Sequence, residues 1–398
     1  MTGSLPMTVE LATFPTSFRL AVRHASAVRR ATENIIVRVR TASGAVGVGE
    51  ACPRRYVTGE TMESARTFLR GAAPEVAASA ETVDGLRSWI TAHRERIDAN
   101  PAAFCALELA LLDALARHQG VSVERLLGCP DLNGTFRYTA VIGDSGRWVF
   151  ALLLQRYLSH GVRDFKLKLS GDLSRDRHKL GRLRRHGARV RVRVDANNLW
   201  SDADACLEHL RALDYPFMAI EEPLSADDLD GFARIAVALD TPIIIDESGL
   251  RAEQLDHLPG PIDRWILNCR VSKMGGLLRS LATVDAARTR GMGVIVGAHV
   301  GETSILTRAA LTVAAHAREA LRAHEGAFGT KLLRRDLVSP VLMFGRRAEL
   351  DIARVLDPTA PGMGLVVDEA ALSQREVLVG PRRHVRRREL PRRSEMPA

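Results

Sequence analysis

Four stretches decide the fold: DFKLKL (Asp164–Leu169), VRVRVD (Val190–Asp195), FMAIE (Phe217–Glu221) and PIIID (Pro242–Asp246). Each is a short apolar run interrupted or ended by charge, and each is bounded by a segment of helical periodicity. Lys168, Asp195, Glu221 and Asp246 follow one another at intervals of 27, 26 and 25 residues, each about one β/α unit. Further strands are predicted at Tyr138–Ile142, Trp265–Arg270, Gly293–Ala298 and Ala323–Ala327. Helices are predicted between them at Asp202–Leu213, Leu229–Leu239, Leu277–Arg290 and Ser304–Arg318. Eight alternating units imply an α/β fold, a (β/α)8 barrel (a modified TIM barrel), with room for one irregular helix.

The remaining chain is organised around that barrel. Residues 1–125 read as an α+β capping domain. It has a hairpin (Asn34–Arg40, turn Thr41–Gly44, Ala45–Glu50) and helices at Thr61–Arg70, Thr82–His93 and Phe104–His118. The barrel takes 126–332. Residues 333–380, rich in Pro and Gly, wander back over the cap, and 381–398 form a basic tail. Seven arginines against two glutamates put +5 of the net charge of +9 in that tail. It carries no aromatic residue for base stacking, so a solvated, frayed end is the reading rather than a nucleic-acid arm. The basic stretch Arg175–Arg193 reads as a wet face.

At 46% hydrophobic and 26% charged, the composition excludes fibrous and disordered classes. No apolar run is long enough for a membrane span, and no secretory signal is evident. Five scattered cysteines without a CxxC pair point to reduced thiols and a cytoplasmic location.

The charged positions carry the chemistry. Single acids after strands are ordinarily helix caps, but three at one register on neighbouring strands converge on the C-terminal mouth of the barrel. Asp195, Glu221 and Asp246 would repel one another without a cation among them, and hard oxygen donors suit Mg2+, or Mn2+ in its place. Lys166 and Lys168, two apart on one strand, point to the same side. Near each other and a dication, an ammonium is destabilised towards neutrality and can serve as a general base. A carboxylate substrate held by the metal would then have its α-proton acidified.

These motifs together resemble the enolase superfamily, most closely its muconate lactonizing enzyme and dipeptide epimerase subgroup, with mandelate racemase more distant. The matching stretches are Lys166-Leu-Lys168, VDAN (Val194–Asn197), IEEP (Ile220–Pro223), IDES (Ile245–Ser248), Lys273-Met-Gly275-Gly276, GVGEA (Gly47–Ala51) and the helix around Ala106–Asp113. The resemblance covers nearly the whole chain. It implies Asp195, Glu221 and Asp246 as Mg2+ ligands, Lys168 as base with Lys166 lowering its pKa, and Glu222, Glu247 and Asn197 as supports of the ligands. It also implies a homo-oligomer.

One position departs from the family pattern. Where the subgroup carries a second lysine on the sixth strand, this chain has Arg270, which stays protonated and cannot act as a base. Lys273, three residues on, is a poor substitute for it and is kept as a substrate contact. His299, after the seventh strand, falls where mandelate racemase-like members place a catalytic histidine, and Arg270 nearby would keep it neutral. Glu302 and the pair His324-Glu325 are further substrate contacts. The cap loops His24–Ala27 and Pro53–Thr61 are expected to set specificity, with Arg54, Arg55 and Tyr56 meeting an anionic or acyl tail. The expected reaction is abstraction of the proton α to a carboxylate through an enediolate, giving cycloisomerisation, racemisation or epimerisation. The alternatives are a syn-dehydratase using Lys168 alone and a barrel that binds carboxylates without turnover.

Overall fold

The computed structural model describes residues 7–24 and 27–380. The tail from Pro381 and the middle of the His24–Ala27 loop lie outside the described residues. The cap is built on two long antiparallel strands, β1 (Thr8–His24) and β2 (Ala27–Arg40), with β3 (Val46–Ala51) paired to β2 through Val37↔Gly49. Helices α1 (Met62–Ser79), α2 (Val83–Ala92) and α3 (Pro101–Gln119) follow. α3 starts three residues before the predicted Phe104, with Pro101 in its first turn, and ends on left-handed Gly120. It is buried along nearly its whole length because β3 lets it come close. A Cβ at Gly49 would stand 2.0 Å from the Ala106 carbonyl oxygen, and one at Gly47 2.1 Å from that of Ala110. The glycines of GVGEA are thus the contact surface for α3.

The barrel strands are β4 (Ala140–Ile142), β5 (Asp164–Lys168), β6 (Arg191–Asp195), β7 (Ile220–Glu221), β8 (Ile243–Ile245), β9 (Trp265–Cys269), β10 (Gly293–Val296) and β11 (Leu321–His324). They pair in sequence order, all parallel. The Thr139 amide, just before β4, donates to the His324 carbonyl (2.8 Å), joining the last strand to the first. The long outer helices are α4 (Arg147–Ser159), α5 (Leu173–Arg184), α6 (Ala203–Leu213), α7 (Leu229–Leu239), α8 (Leu277–Thr289) and α9 (Ser304–Ala317). The alternation is less regular than eight complete units. After β8 the crossover holds only two 3-10 turns, Ala252–His257 and Ile262–Arg264, and β11 is followed by a 3-10 turn at Gly329–Lys331. The final strand, β12 (Ser373–Val379), pairs antiparallel with β1 and completes the cap sheet in the order β12-β1-β2-β3.

The barrel interior is layered. Ala219, Ile244, Ile266, Ile295 and Ala323 form a dry plug. Two residues further along the same strands, on the same side, stand Glu221, Asp246, Asn268, Gly297 and Glu325. An apolar floor therefore carries a polar ring at the C-terminal mouth. Among the described residues no helix is long and apolar enough to cross a membrane, and all five cysteines are free.

Candidate active site

The β5–β6–β7 ladder places Lys168 opposite Asp195 and Asp195 opposite Glu221. Glu221 faces Ile244, so Asp246 stands two residues higher, on the side that Ile244 faces, as the stagger of a closed barrel requires. Lys166 Nζ donates to Glu221 Oε1 (2.7 Å) and lies 3.2 Å from Asp195 Oδ2. Lys168 Nζ lies 3.4 Å from the same Asp195 oxygen and donates to Asn197 Oδ1 (2.6 Å). The two lysines thus share one face, as their spacing predicts.

The electrostatics differ from the sequence expectation at Lys166. Burial alone would depress its ammonium, but the carboxylates of Asp195, Glu221 and Glu325 outweigh burial and hold it above the usual lysine range. The same lysines hold Asp195 well below the usual carboxylate range against the effect of burial.

Asp246 is bound from two sides, by Lys273 Nζ on Oδ1 (2.6 Å) and by Arg270 Nη2 on Oδ2. Lys273 is 3% exposed, also donates to the Asn268 carbonyl (3.0 Å) and does not line the cavity. The structure therefore places Lys273, expected as a substrate contact, behind Asp246 and out of the cavity lining. Glu222, in left-handed backbone, accepts from the Asp246 and Ser248 amides (2.6 and 2.9 Å) and fixes the end of the next strand. Glu247 instead lines the cavity, its carboxyl pushed up to about 7 by burial.

The cavity at the mouth has a volume of about 290 Å³. Lys166, Lys168, Asp195, Arg270, His299 and Glu302 all line it, as does Tyr56 from the cap. Arg55 is exposed and does not line it. Arg54 is neither solvated nor in the cavity wall. It is buried and donates to the Val300 carbonyl (2.9 Å) and Thr32 Oγ1 (2.8 Å). Together with Glu50, which accepts from the Thr303 amide and hydroxyl, and Asn34, which donates to the Gly301 carbonyl, it ties the cap to the segment carrying His299. His299 is 5% exposed with neither ring nitrogen hydrogen-bonded. Burial first, then Arg270 and Arg54, hold its imidazole well below the usual range. Glu302 accepts the His299 amide (2.6 Å), and burial pushes its carboxyl up to about 8.

Two residues escaped the sequence reading. Arg193 was placed on a wet face, yet it is 0% exposed inside the barrel. It donates to Glu325, Asp164 and Thr139, and Glu325 lies 3.5 Å from Lys166 Nζ. The signal was the alternation itself, since a residue two before Asp195 must share its side. Lys179 and Asp176, in the same basic stretch, are also buried. The second residue is Asn268, whose amide donates to Glu221 Oε1 (3.2 Å). Of the eighth-strand pair, Glu325 lines the cavity, whereas His324 is buried against the Tyr138 ring (4.3 Å between centroids).

Among the described residues no three His, Cys, Asp or Glu side chains are gathered as a metal cluster; Asp195 and Glu221 are turned onto Lys166, and Asp246 onto Arg270 and Lys273. The donor chemistry nonetheless fits a hard dication. All three are carboxylates, and Glu221 Oε2 is buried with no hydrogen-bond partner.

Comparison with known proteins shows the family and the fold. The family model described as "Mandelate racemase / muconate lactonizing enzyme, N-terminal domain" matches residues 8–128, and "Enolase C-terminal domain-like" matches 149–371. The chain is 25% identical to the L-Ala-D/L-Glu epimerase of Bacillus subtilis over 84% of this chain and 89% of that protein. It is 30% identical to the L-Lys-D/L-Arg epimerase of Methylococcus capsulatus over 75% and 82%. The crystal structure of the dipeptide epimerase from Methylococcus capsulatus complexed with Mg and L-Arg-D-Lys superposes with a TM-score of 0.77 at 29% identity, covering 90% of this chain and 98% of that one.

Proposed function

Because the chain belongs to the mandelate racemase / muconate lactonizing enzyme family and is an isomerase of the enolase superfamily, we propose that it inverts the carbon α to a substrate carboxylate by removing and returning the α-proton. The observation that carries this reading is one cavity lined by both Lys168 and His299, the latter with two unpartnered ring nitrogens.

In the proposed sequence, Lys168 accepts the α-proton on Nζ, oriented by Asn197 Oδ1. Lys166 spans Asp195, Glu221 and Glu325 and keeps the second ammonium beside the developing negative charge. In this direction His299 must deliver its proton from another wall as the imidazolium and is left neutral, and the reverse reaction starts from neutral His299 and the Lys168 ammonium. Arg270 stays protonated and holds a carboxylate oxygen. Asp195, Glu221 and Asp246 would hold Mg2+, which supplies positive charge opposite the substrate carboxylate as the proton leaves.

The test is incubation of the Mg2+-loaded protein in D2O with N-acyl amino acids, dipeptides and hydroxy acids, followed by mass spectrometry and chiral chromatography. Deuterium uptake with inversion is expected. Uptake with retention assigns all proton traffic to Lys168 and removes His299, which is the outcome expected of a cycloisomerase. Ligand binding without uptake across the panel overturns the isomerase reading in favour of a carboxylate binder.

A further inference from the structure

A second cavity of about 180 Å³ adjoins the first. The two share three lining residues, Tyr157 on α4 and Phe328 and Leu332 after β11. All three are half-buried, and behind them the second cavity is walled mainly by apolar side chains, among them Leu153, Val162 and Phe344. Besides Tyr157, its charged or titratable lining residues are Arg156, His160 and Lys331, all exposed, so its rim carries the basic Arg156 and Lys331 and no acidic side chain lines it.

We propose that this second cavity is the subsite for an apolar tail on the substrate. The tail runs from the reacting carbon past Tyr157, Phe328 and Leu332, and its far end is neutral or anionic, not an ammonium. The inference rests on the reading of the first cavity as the proton-transfer site. It assigns a substrate class, an acid whose α-substituent or N-acyl group is a linear or aromatic hydrocarbon chain. Burying a methylene against such walls tightens binding about fourfold. An ammonium at the end of the tail meets Arg156 and Lys331 and no acidic side chain, which rejects it.

The experiment titrates the protein calorimetrically with N-acyl amino acids of increasing acyl length, then with equal-length chains ending in methyl, carboxylate or ammonium. Deuterium exchange is followed in parallel. Affinity is expected to rise with each methylene until the second cavity is filled, with the ammonium-ended chain weakest by tenfold or more. Leu153→Trp fills the second cavity without touching the first and is expected to abolish the dependence on length. Circular dichroism verifies that this variant is folded, and Gly345→Val, on the opposite wall with no atom closer than 3.6 Å to a new Cβ, is a second way to fill it. Affinity independent of length, or an ammonium-ended chain that binds as well as the others, overturns the subsite. Length-dependent binding without exchange retains the subsite and overturns the proton-transfer reading. Exchange without length dependence does the reverse, and absence of both overturns both.

Discussion

Arg193 and Glu325 meet inside the barrel, the guanidinium donating to Glu325 Oε1 with both side chains shut off from solvent. The pair links the Asp164 carboxylate, near the N-terminal end of the barrel, to Lys166 at the mouth. Burial is the largest influence on Glu325, yet Lys166 and Arg193 overcome it and hold its carboxyl down at about 2. Both partners are therefore charged in the folded protein, and each pays its desolvation through the other.

Removing Arg193 leaves Glu325 buried with only Lys166, 3.5 Å away, to balance it. Arg193→Met is expected to destabilise the protein by about 3–5 kcal/mol in urea denaturation. The double variant Arg193→Met/Glu325→Gln is expected to recover most of that loss, since no orphan charge remains. Equal stability of the single and double variants would contradict the pairing.

Lys168 and Asp246 separate base from metal. Lys168→Ala is expected to lower α-proton exchange by about 10²–10⁴-fold, the range for a positioned general base, while calorimetric titration with Mg2+ is unchanged. Asp246→Asn is expected to weaken Mg2+ binding by at least about tenfold. Exchange retained in the first variant, or Mg2+ affinity retained in the second, removes that residue from its role.

A buried carboxyl sets a pH dependence of stability at the seam between cap and barrel. Glu108 on α3 accepts from the Leu278 amide (3.0 Å) and the Leu277 amide at the start of α8. Burial pushes it up from 4.5 to about 7. The folded state then binds a proton that the unfolded state has released. The contribution is fully present below pH 4.5 and is lost as pH rises through 7. Each such carboxyl gives a slope of up to ~1.4 kcal/mol per pH unit in that window. Glu108→Gln is expected to flatten the decline between pH 4.5 and 7, read from urea midpoints at each pH. An unaltered slope removes Glu108 as the source and leaves the other buried carboxyls that burial raises, Glu50 and Glu247 to about 7 and Glu302 to about 8.

The barrel and its charged mouth were legible because Lys166, Lys168, Asp195, Glu221 and Asp246 break an apolar strand pattern at a fixed interval, and strand geometry then leaves them one direction to face. Arg193 obeys the same rule but sits among arginines that are exposed, such as Arg191, so composition masked periodicity. Where Arg54 and Lys273 point is not legible in sequence, because a long cation can reach the cavity or turn away from it. Only the Val300 carbonyl and Asp246, distant in sequence, decide which. The second cavity was not legible at all. Tyr157, Phe328 and Leu332 come from two separate elements and read singly as ordinary core residues.

Gly297, at the end of β10, tests how tightly the polar ring is packed. A Cβ there would stand 2.3 Å from Asn268 Oδ1 and 2.9 Å from Arg270 Cγ. Both side chains belong to β9 or its end and face the same mouth, Asn268 holding Glu221 and Arg270 holding Asp246. A methyl group at this point cannot be absorbed without moving one of them. Gly297→Ala is therefore expected to cost about 1–3 kcal/mol of stability from overpacking. It is also expected to lower exchange activity more than an equally destabilising change in the cap. Comparing activity at matched folded fraction separates the two effects. Activity that merely tracks the folded fraction would mean that the positions of Asn268 and Arg270 do not matter to turnover.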